Sequence, residues 1–371
     1  MKKNKKLLIG IGIVAVVVFV FFVIYKKGQI DKDDKSLRVG VLLPLTGESA
    51  SYGVECRSGI EFAVAERSIP IKLFVEDSKG NPQTAVTSIR KLIATYKVDA
   101  IIGDMFSNTT LVIAPIAQKA GITLLTPSAS DERIVATGDK IFCIYPSADS
   151  EGRSMANFVN AEISTTPVVI KQNVDIFNSI ANGYIRALHS RFGVAVKVED
   201  LPKGFAEYKS LASKVSSVKP SSIYIAAYRD EVATMICALR QLGLTVPIFS
   251  QSTLLDDKLF EKYPHQLAGV VFSGPAFSRD SDNITIKSFR ERYKGKFGKE
   301  PSVWVAYGYD ALGFIANAAE VASIEKMTIA KAMAESTLDG ATGKTKLRVD
   351  RSSDKEMIFY TISNREFKII H

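Results

Sequence analysis

From Leu37 onward the chain alternates short apolar strands with amphipathic helices at a spacing of about 30 residues, the length of one strand–helix–strand unit. Strands separated by a helix return in the same direction, so this rhythm implies parallel sheets covered by helices on both faces. The first run predicts strands at Arg38–Leu43, Ile71–Val75, Ala100–Ile102, Ile122–Thr126 and Ile141–Tyr145. Helices fall at Tyr52–Arg67, after Asn81-Pro82, and at Leu111–Ala120. Asn81 suits a helix cap, and Pro82 suits the first helical position. A second run begins with a helix over Ser150–Ile163. Strands Pro167–Ile170, Ala195–Val198, Ile223–Tyr228 and Pro247–Phe249 follow, with helices Ile176–Arg191, Tyr208–Val218 and Glu231–Leu242 between them. After Gly269–Ser273 helices dominate (Asn283–Phe297, Val303–Ala322), and two late strands close the chain, Lys346–Val349 and Met357–Ile362. A chain of 371 residues with two such runs predicts two lobes.

In open parallel sheets ligands sit beyond the carboxyl ends of the strands. The stretch Val98–Thr110 places a buried strand, a glycine stop at Gly103 and then Ser107-Asn108-Thr109-Thr110 ahead of a helix. Free N–H groups at such a helix start, with hydroxyls beside them, form an anion site. The pattern repeats where Ile122–Thr126 runs into Pro127-Ser128-Ala129-Ser130. Ser107 and Ser130 thus mark strand ends of the first run, as Tyr228 and Ser252 do in the second. Two sets of strand ends facing across a cleft would enclose a small carboxylate-bearing ligand.

Leu7–Tyr25 carries no charge over nineteen residues, enough helix to cross the hydrocarbon core. Four lysines precede it and two follow, with Asp31, Asp33 and Asp34 soon after, which orients the N-terminus to the cytoplasm and the body outside. The run ends in bulky residues and meets Lys26-Lys27 directly, so an uncleaved anchor is expected; secretion after signal cleavage is the alternative. Gly28–Ser36 reads as a charged tether. Lys2, Lys3, Lys5, Lys6, Lys26 and Lys27 supply six of the net +9, leaving +3 for the rest of the chain. With no basic stripe among aromatics, nucleic acid is not an expected partner.

Other chemistry finds no constellation. Cys56, Cys143 and Cys237 are far apart, and His189, His265 and His371 have no ligand-spaced partner, so neither a metal site nor a cofactor is expected. Gly343-Lys344-Thr345 lacks the upstream glycine of a phosphate loop, since position 338 is Leu. No G-x-S-x-G elbow exists. Asp77 and Asp104 sit at strand ends without a nucleophile, which suits structural or ligand-orienting roles. No catalytic residues are expected.

Four segments in order, VGVLLPLTGESASYG (Val39–Gly53), Asp77–Val86, AIIGDMFSNTT (Ala100–Thr110) and LLTPSASDERI (Leu124–Ile134), together with IYIAAYRDE (Ile223–Glu231), resemble the type I periplasmic binding proteins. The nearest branch is the leucine/isoleucine/valine-binding family that serves amino-acid ABC transporters. The resemblance implies an α/β fold of two Rossmann-like lobes with parallel sheets, joined by a three-crossover hinge and here preceded by one transmembrane helix. Residues 1–36 would be anchor and tether, 37–147 and 275–350 lobe 1, and 148–274 and 351–371 lobe 2. It further implies that Ser107 and Ser130 bind the ligand carboxylate and that Ser128 offers its backbone carbonyl to the ammonium. Tyr52 would lie near the ligand side chain, and Tyr228 would cover the ligand. Two positions depart from the pattern. Ser252 stands where the family has the acid that pairs with the amino group, and Ile176 replaces a second-lobe aromatic. A buried ammonium without a counter-charge is costly. Either Asp104, Asp230 or Asp256 supplies the charge, or the ligand is not an α-amino acid but an organic acid or amide. The expected function is a membrane-tethered, extracytoplasmic solute-binding protein handing its ligand to an ABC permease. A sensory ectodomain partnering a membrane signalling protein is the alternative.

Overall fold

Strand β1 (Leu37–Leu43) pairs with β2 (Ile71–Asp77) on one side and β3 (Ala100–Gly103) on the other. β4 (Thr123–Thr126) and β5 (Ile141–Cys143) extend the sheet, every pairing parallel, in the order β2-β1-β3-β4-β5. The computed structural model describes residues 35–370 except 48, 163–164, 202–204, 256–258, 264, 278–280, 354 and 356. The expected anchor Leu7–Tyr25 lies outside the described residues, among which no helix is long and apolar enough to cross a membrane.

Alternate side chains of a strand point to opposite faces, and both faces of this sheet are buried. Val39, Val41 and Leu43 enter one core, and Leu42 enters the other. The connections are α1 (Ala50–Ala65), α2 (Pro82–Ala94), α3 (Ser107–Ala120) and the short α4 (Glu132–Val135). Asn81 caps α2 as expected, its Oδ1 accepting from the N–H groups of Gln83 and Thr84, each at 3.0 Å.

The second sheet runs β14-β13-β10-β9-β8-β6-β7. β6 (Pro167–Lys171), β7 (Lys197–Asp200), β8 (Ser222–Ala226), β9 (Ile248–Ser250) and β10 (Val271–Pro275) are parallel. Among the helices around it are α5 (Ala148–Phe158), α6 (Asp175–Phe192), α7 (Phe205–Ser217), α8 (Arg229–Gln241) and α9 (Leu259–Lys262). The expected parallel pairing holds for these five strands, and β13 (Met357–Ser363) and β14 (Glu366–Ile370) add an antiparallel edge. Asn364 and Arg365, with φ of 53° and 62°, make the two-residue turn that reverses the chain without a helix.

After β10 the chain returns to the first sheet. α10 (Ile284–Phe297), α11 (Val303–Glu325), α12 (Ile329–Ala334) and the hairpin β11 (Thr337–Gly340)–β12 (Gly343–Lys346) follow before β13 rejoins the second sheet. The expected strand Lys346–Val349 is displaced: only its first residue is in β12. Tyr307, Leu312 and Ile315 of α11 pack with Val39 and Val41 of β1. Each sheet therefore carries one tightly apposed helix pair. A Cβ on Gly59 of α1 would stand 1.9 Å from Val305 O of α11, and one on Gly308 would stand 2.0 Å from Cys56 O. In the second pair a Cβ on Gly152 of α5 would meet Ile180 O of α6 at 1.9 Å.

Candidate functional site

Gly103 ends β3 at φ 140°, and a Cβ there would lie 2.0 Å from Leu42 O, so only glycine allows the chain to turn between β1 and α3. Asp104 follows, fully buried. Its Oδ1 accepts the N–H groups of Met105 (2.5 Å) and Phe106 (3.1 Å). Burial pushes its carboxyl up to about 6, against the hydrogen bonds that favour the charged form. Phe106 occupies the cap position of α3, and its apolar side chain accepts nothing. The first-turn N–H groups are thus left for another acceptor, with Asn108 Oδ1 taking that of Thr109 at 2.9 Å.

The loop after β4 is sewn onto this turn. Thr126 Oγ1 donates to Asp104 O at 2.6 Å, and Ser128 Oγ donates to Met105 O at 2.7 Å. The Ser130 N–H donates to Ser107 Oγ at 3.3 Å. Ser107 Oγ is the acceptor in that bond, so its own proton is not used there. Asp77, by contrast, is a turn clamp. It accepts from Leu45 N–H (2.8 Å), Thr46 Oγ1 (2.5 Å) and Lys79 N–H (2.8 Å). Burial raises its carboxyl, but these bonds outweigh it and hold it below the usual range.

An aromatic arc leads away from Ser107. The Tyr52 ring meets Phe106 edge-on at 6.2 Å and Trp304 at 5.6 Å. Trp304 stacks with Tyr145 at 6.5 Å, and the Tyr145 hydroxyl donates to Ser252 Oγ at 2.9 Å. Ser252 opens a short 3-10 turn after β9, so this bond ties the two sheets together. Behind it stands Glu151 of α5, only 3% exposed, whose Oε1 accepts the Ser252 N–H at 2.8 Å and the Ser273 hydroxyl at 3.1 Å. Burial pushes the Glu151 carboxyl up, while those bonds pull it down. On the same side Tyr228 caps α8, 52% exposed, with its ring edge-on to Phe177 at 4.8 Å. Asp230 is exposed and pairs with Arg229 (3.2 Å) and Lys262 (3.8 Å). Asp256 lies outside the described residues.

A cavity of about 370 Å³ opens beside Ser130, walled by Asp131, Glu132 and Arg133 on the first-sheet side and by α6 from Asp175 to Arg186 on the other. Ala148 lines it, and its N–H donates to Ser130 O at 3.1 Å. Ile176 is part of the far wall; Ser107, Ser128, Ser130, Tyr52, Tyr228 and Ser252 are not among its lining residues.

The sequence profile of the periplasmic binding proteins matches residues 36–366. The chain belongs to the periplasmic binding protein family. An amino acid binding protein of Pseudomonas aeruginosa is 23% identical over 293 residues, covering 76% of this chain and 77% of its own. The crystal structure of a leucine binding protein from Thermotoga maritima superposes with a TM-score of 0.79 at 25% identity, covering 90% of this chain and 98% of that one. A solute binding protein from R. palustris in complex with benzoate superposes with a TM-score of 0.74 at 20% identity, covering 90% of this chain and 95% of its own. This periplasmic binding protein is a binder of solutes, not an enzyme.

The structure joins Ser107, Ser128 and Ser130 through two loops, links Tyr52 to them through Phe106, and sets Ser252 and Tyr228 on the second-sheet side. Phe106, Trp304, Tyr145 and Glu151 were absent from the sequence reading of the site. Glu151 had one legible signal: it stands on α5 next to Gly152 and four residues before Met155, an acid on the face the helix buries.

Proposed function

We propose that this periplasmic binding protein captures a small carboxylate-bearing solute, an amino acid in the first instance, between two lobes and delivers it to an ABC permease. The observation that carries the reading is the Ser130 N–H to Ser107 Oγ bond at the uncapped start of α3. It sets a hydroxyl beside first-turn N–H groups, the donor set that an anion uses. The aromatic arc of Phe106, Tyr52 and Trp304 offers an apolar wall for the rest of the solute. Names of relatives that bind amino acids support the same class. The lobes comprise residues 37–147 with 275–350, and 148–274 with 351–371, and closure upon the solute follows from its higher affinity for the closed form. In this reading Leu7–Tyr25 anchors the body at the extracytoplasmic face of the cell membrane, tethered through 28–36.

Calorimetry against amino acids, small organic acids and amides tests the reading. A Ser107→Ala/Ser130→Ala double variant loses affinity for the wild-type solute by about tenfold or more, the scale of hydrogen bonds to a charged group. Unchanged affinity removes the anion site from the account.

A further inference from the structure

The chain passes from the first sheet to the second for the last time within a few residues. Ser353 is still bridged to Leu347, which lies in the core of the first sheet. Met357 already pairs with Pro275 in the second sheet. Lys355 stands between them and is buried. Its Nζ donates to Thr342 Oγ1, in the turn of the β11–β12 hairpin, and lies 4.8 Å from the ring centre of Tyr307 on α11. A lysine only donates, so the Thr342 hydroxyl proton turns to Asp310 of α11. Asp310 Oδ2 also takes the Thr342 N–H at 2.8 Å, and its Oδ1 takes the Ala341 N–H at 2.6 Å. Each of these partners is a donor, the set that an ionised acid accepts. Burial pulls the Lys355 ammonium down to about 8 and pushes the Asp310 carboxyl up, and each charge works against the other's burial.

An ion pair taken out of water adds little net stability over apolar residues of the same size. This one has a positional consequence. It joins α11 and the β11–β12 turn, which sit with the first sheet, to the connection that enters β13. The other connections between the sheets run close by. Tyr145, between β5 and α5, packs against the same Tyr307 at 5.2 Å. Tyr360 of β13 donates to Pro275 O at 2.7 Å, where the chain leaves β10 for α10. Hinges are a few residues at element ends that absorb the backbone change of closure, and Lys355 occupies such a place.

We propose that Lys355, held through Thr342 to Asp310, is the pin of the hinge: it fixes the last connection to the first lobe, and so sets how far apart the lobes stand without solute and how readily they close on it. The pin takes the two-lobe arrangement from the reading above and is independent of which solute binds.

Lys355→Met keeps the length of the side chain, removes its charge and leaves Asp310 its donors. Nitroxide labels at Lys119→Cys on α3 and Ser190→Cys on α6, both exposed, report the lobe separation. They are placed in the full chain in detergent micelles with Cys237→Ser, and the distance is read by pulsed electron resonance without solute. Lys355→Met shifts the distances upward and broadens them. Unchanged or shorter distances overturn the pin, even where the melting temperature falls, because a merely structural pair acts on stability alone. Calorimetry with the common L-amino acids reads the second half. An amino acid that the wild type binds is weakened by about tenfold where the closure-ready population drops to about a tenth. Longer distances with undiminished affinity overturn the bearing of the pin on capture. A wild type that binds none of them removes the amino-acid reading and leaves the distances to decide the pin. Should Lys355→Met fold poorly, Asp310→Asn/Lys355→Met removes both charges. The same upward shift supports the pin, and distances that match the wild type count against it.

Discussion

Asp104 holds the turn before α3 at a cost to the fold. Burial outweighs its hydrogen bonds and raises its carboxyl to about 6. A group raised above its unfolded value stabilises below that value, near pH 4, and this contribution is lost as pH rises through about 6. The gap corresponds to on the order of 3 kcal/mol. Asp104→Asn keeps Oδ1 as acceptor for Met105 and Phe106 and cannot ionise. Thermal melts from pH 4 to 7 should show the variant gaining on the wild type as pH rises, with the larger melting temperature at pH 7. A constant difference across that range would mean that Asp104 stays ionised in the fold. At this scale the sequence spoke unevenly. Ser107 and Ser130 were legible because hydroxyls after an apolar strand and before a helix have few local uses. Glu151 and Trp304 were not, because one acid and one indole on two helices look like any others until the helices are placed.

Elements were legible where periodicity is strong. α2 starts at Asn81-Pro82 as read, and α6 and α8 lie within two residues of the expected spans. β13 was read to within one residue, but β14 and the β11–β12 hairpin were missed, because short polar strands such as Gly343–Lys346 carry no apolar alternation, and the turn at Asn364-Arg365 lacks a glycine. The apposition of α1 and α11 was also invisible, since a glycine in a helix reads as a weakness. Its packing role makes a measurable contrast. Gly308→Ala forces a methyl to within 2.0 Å of Cys56 O, so the helices must part. The expected cost is about 2–3 kcal/mol, a drop in melting temperature of roughly 5 °C. Gly295→Ala, in the exposed part of α10 with nothing within 4 Å, should instead stabilise by about 0.5–1 kcal/mol through helix propensity. Equal effects of the two changes would show that α1 and α11 can separate freely.

For the whole molecule, the parallel order of each sheet follows from helices between strands, but how the two sheets face each other depends on contacts distant in sequence. Side-chain bonds span them near the candidate site. Tyr145 to Ser252 is the inner one; Arg133 to Asp175, at 2.7 Å, crosses beside the cavity. The side chains of Arg133 and Asp175 are 60% and 73% exposed, and Arg133 also holds Asp131 at 2.6 Å. An exposed pair contributes only about 0.2–1 kcal/mol. If its part is to favour the closed arrangement, Arg133→Met should weaken solute binding by no more than about fivefold. The deficit should vanish in about 1 M salt, where screening acts within about 3 Å. Calorimetry at low and high salt separates this from direct recognition. Arg133 lines the cavity, and a loss beyond about tenfold that survives salt would mean that its guanidinium grips the solute itself. The carboxylate site would then have to be moved from the start of α3 to the far side of Ser130, so this one measurement decides which face of the cleft holds the anion.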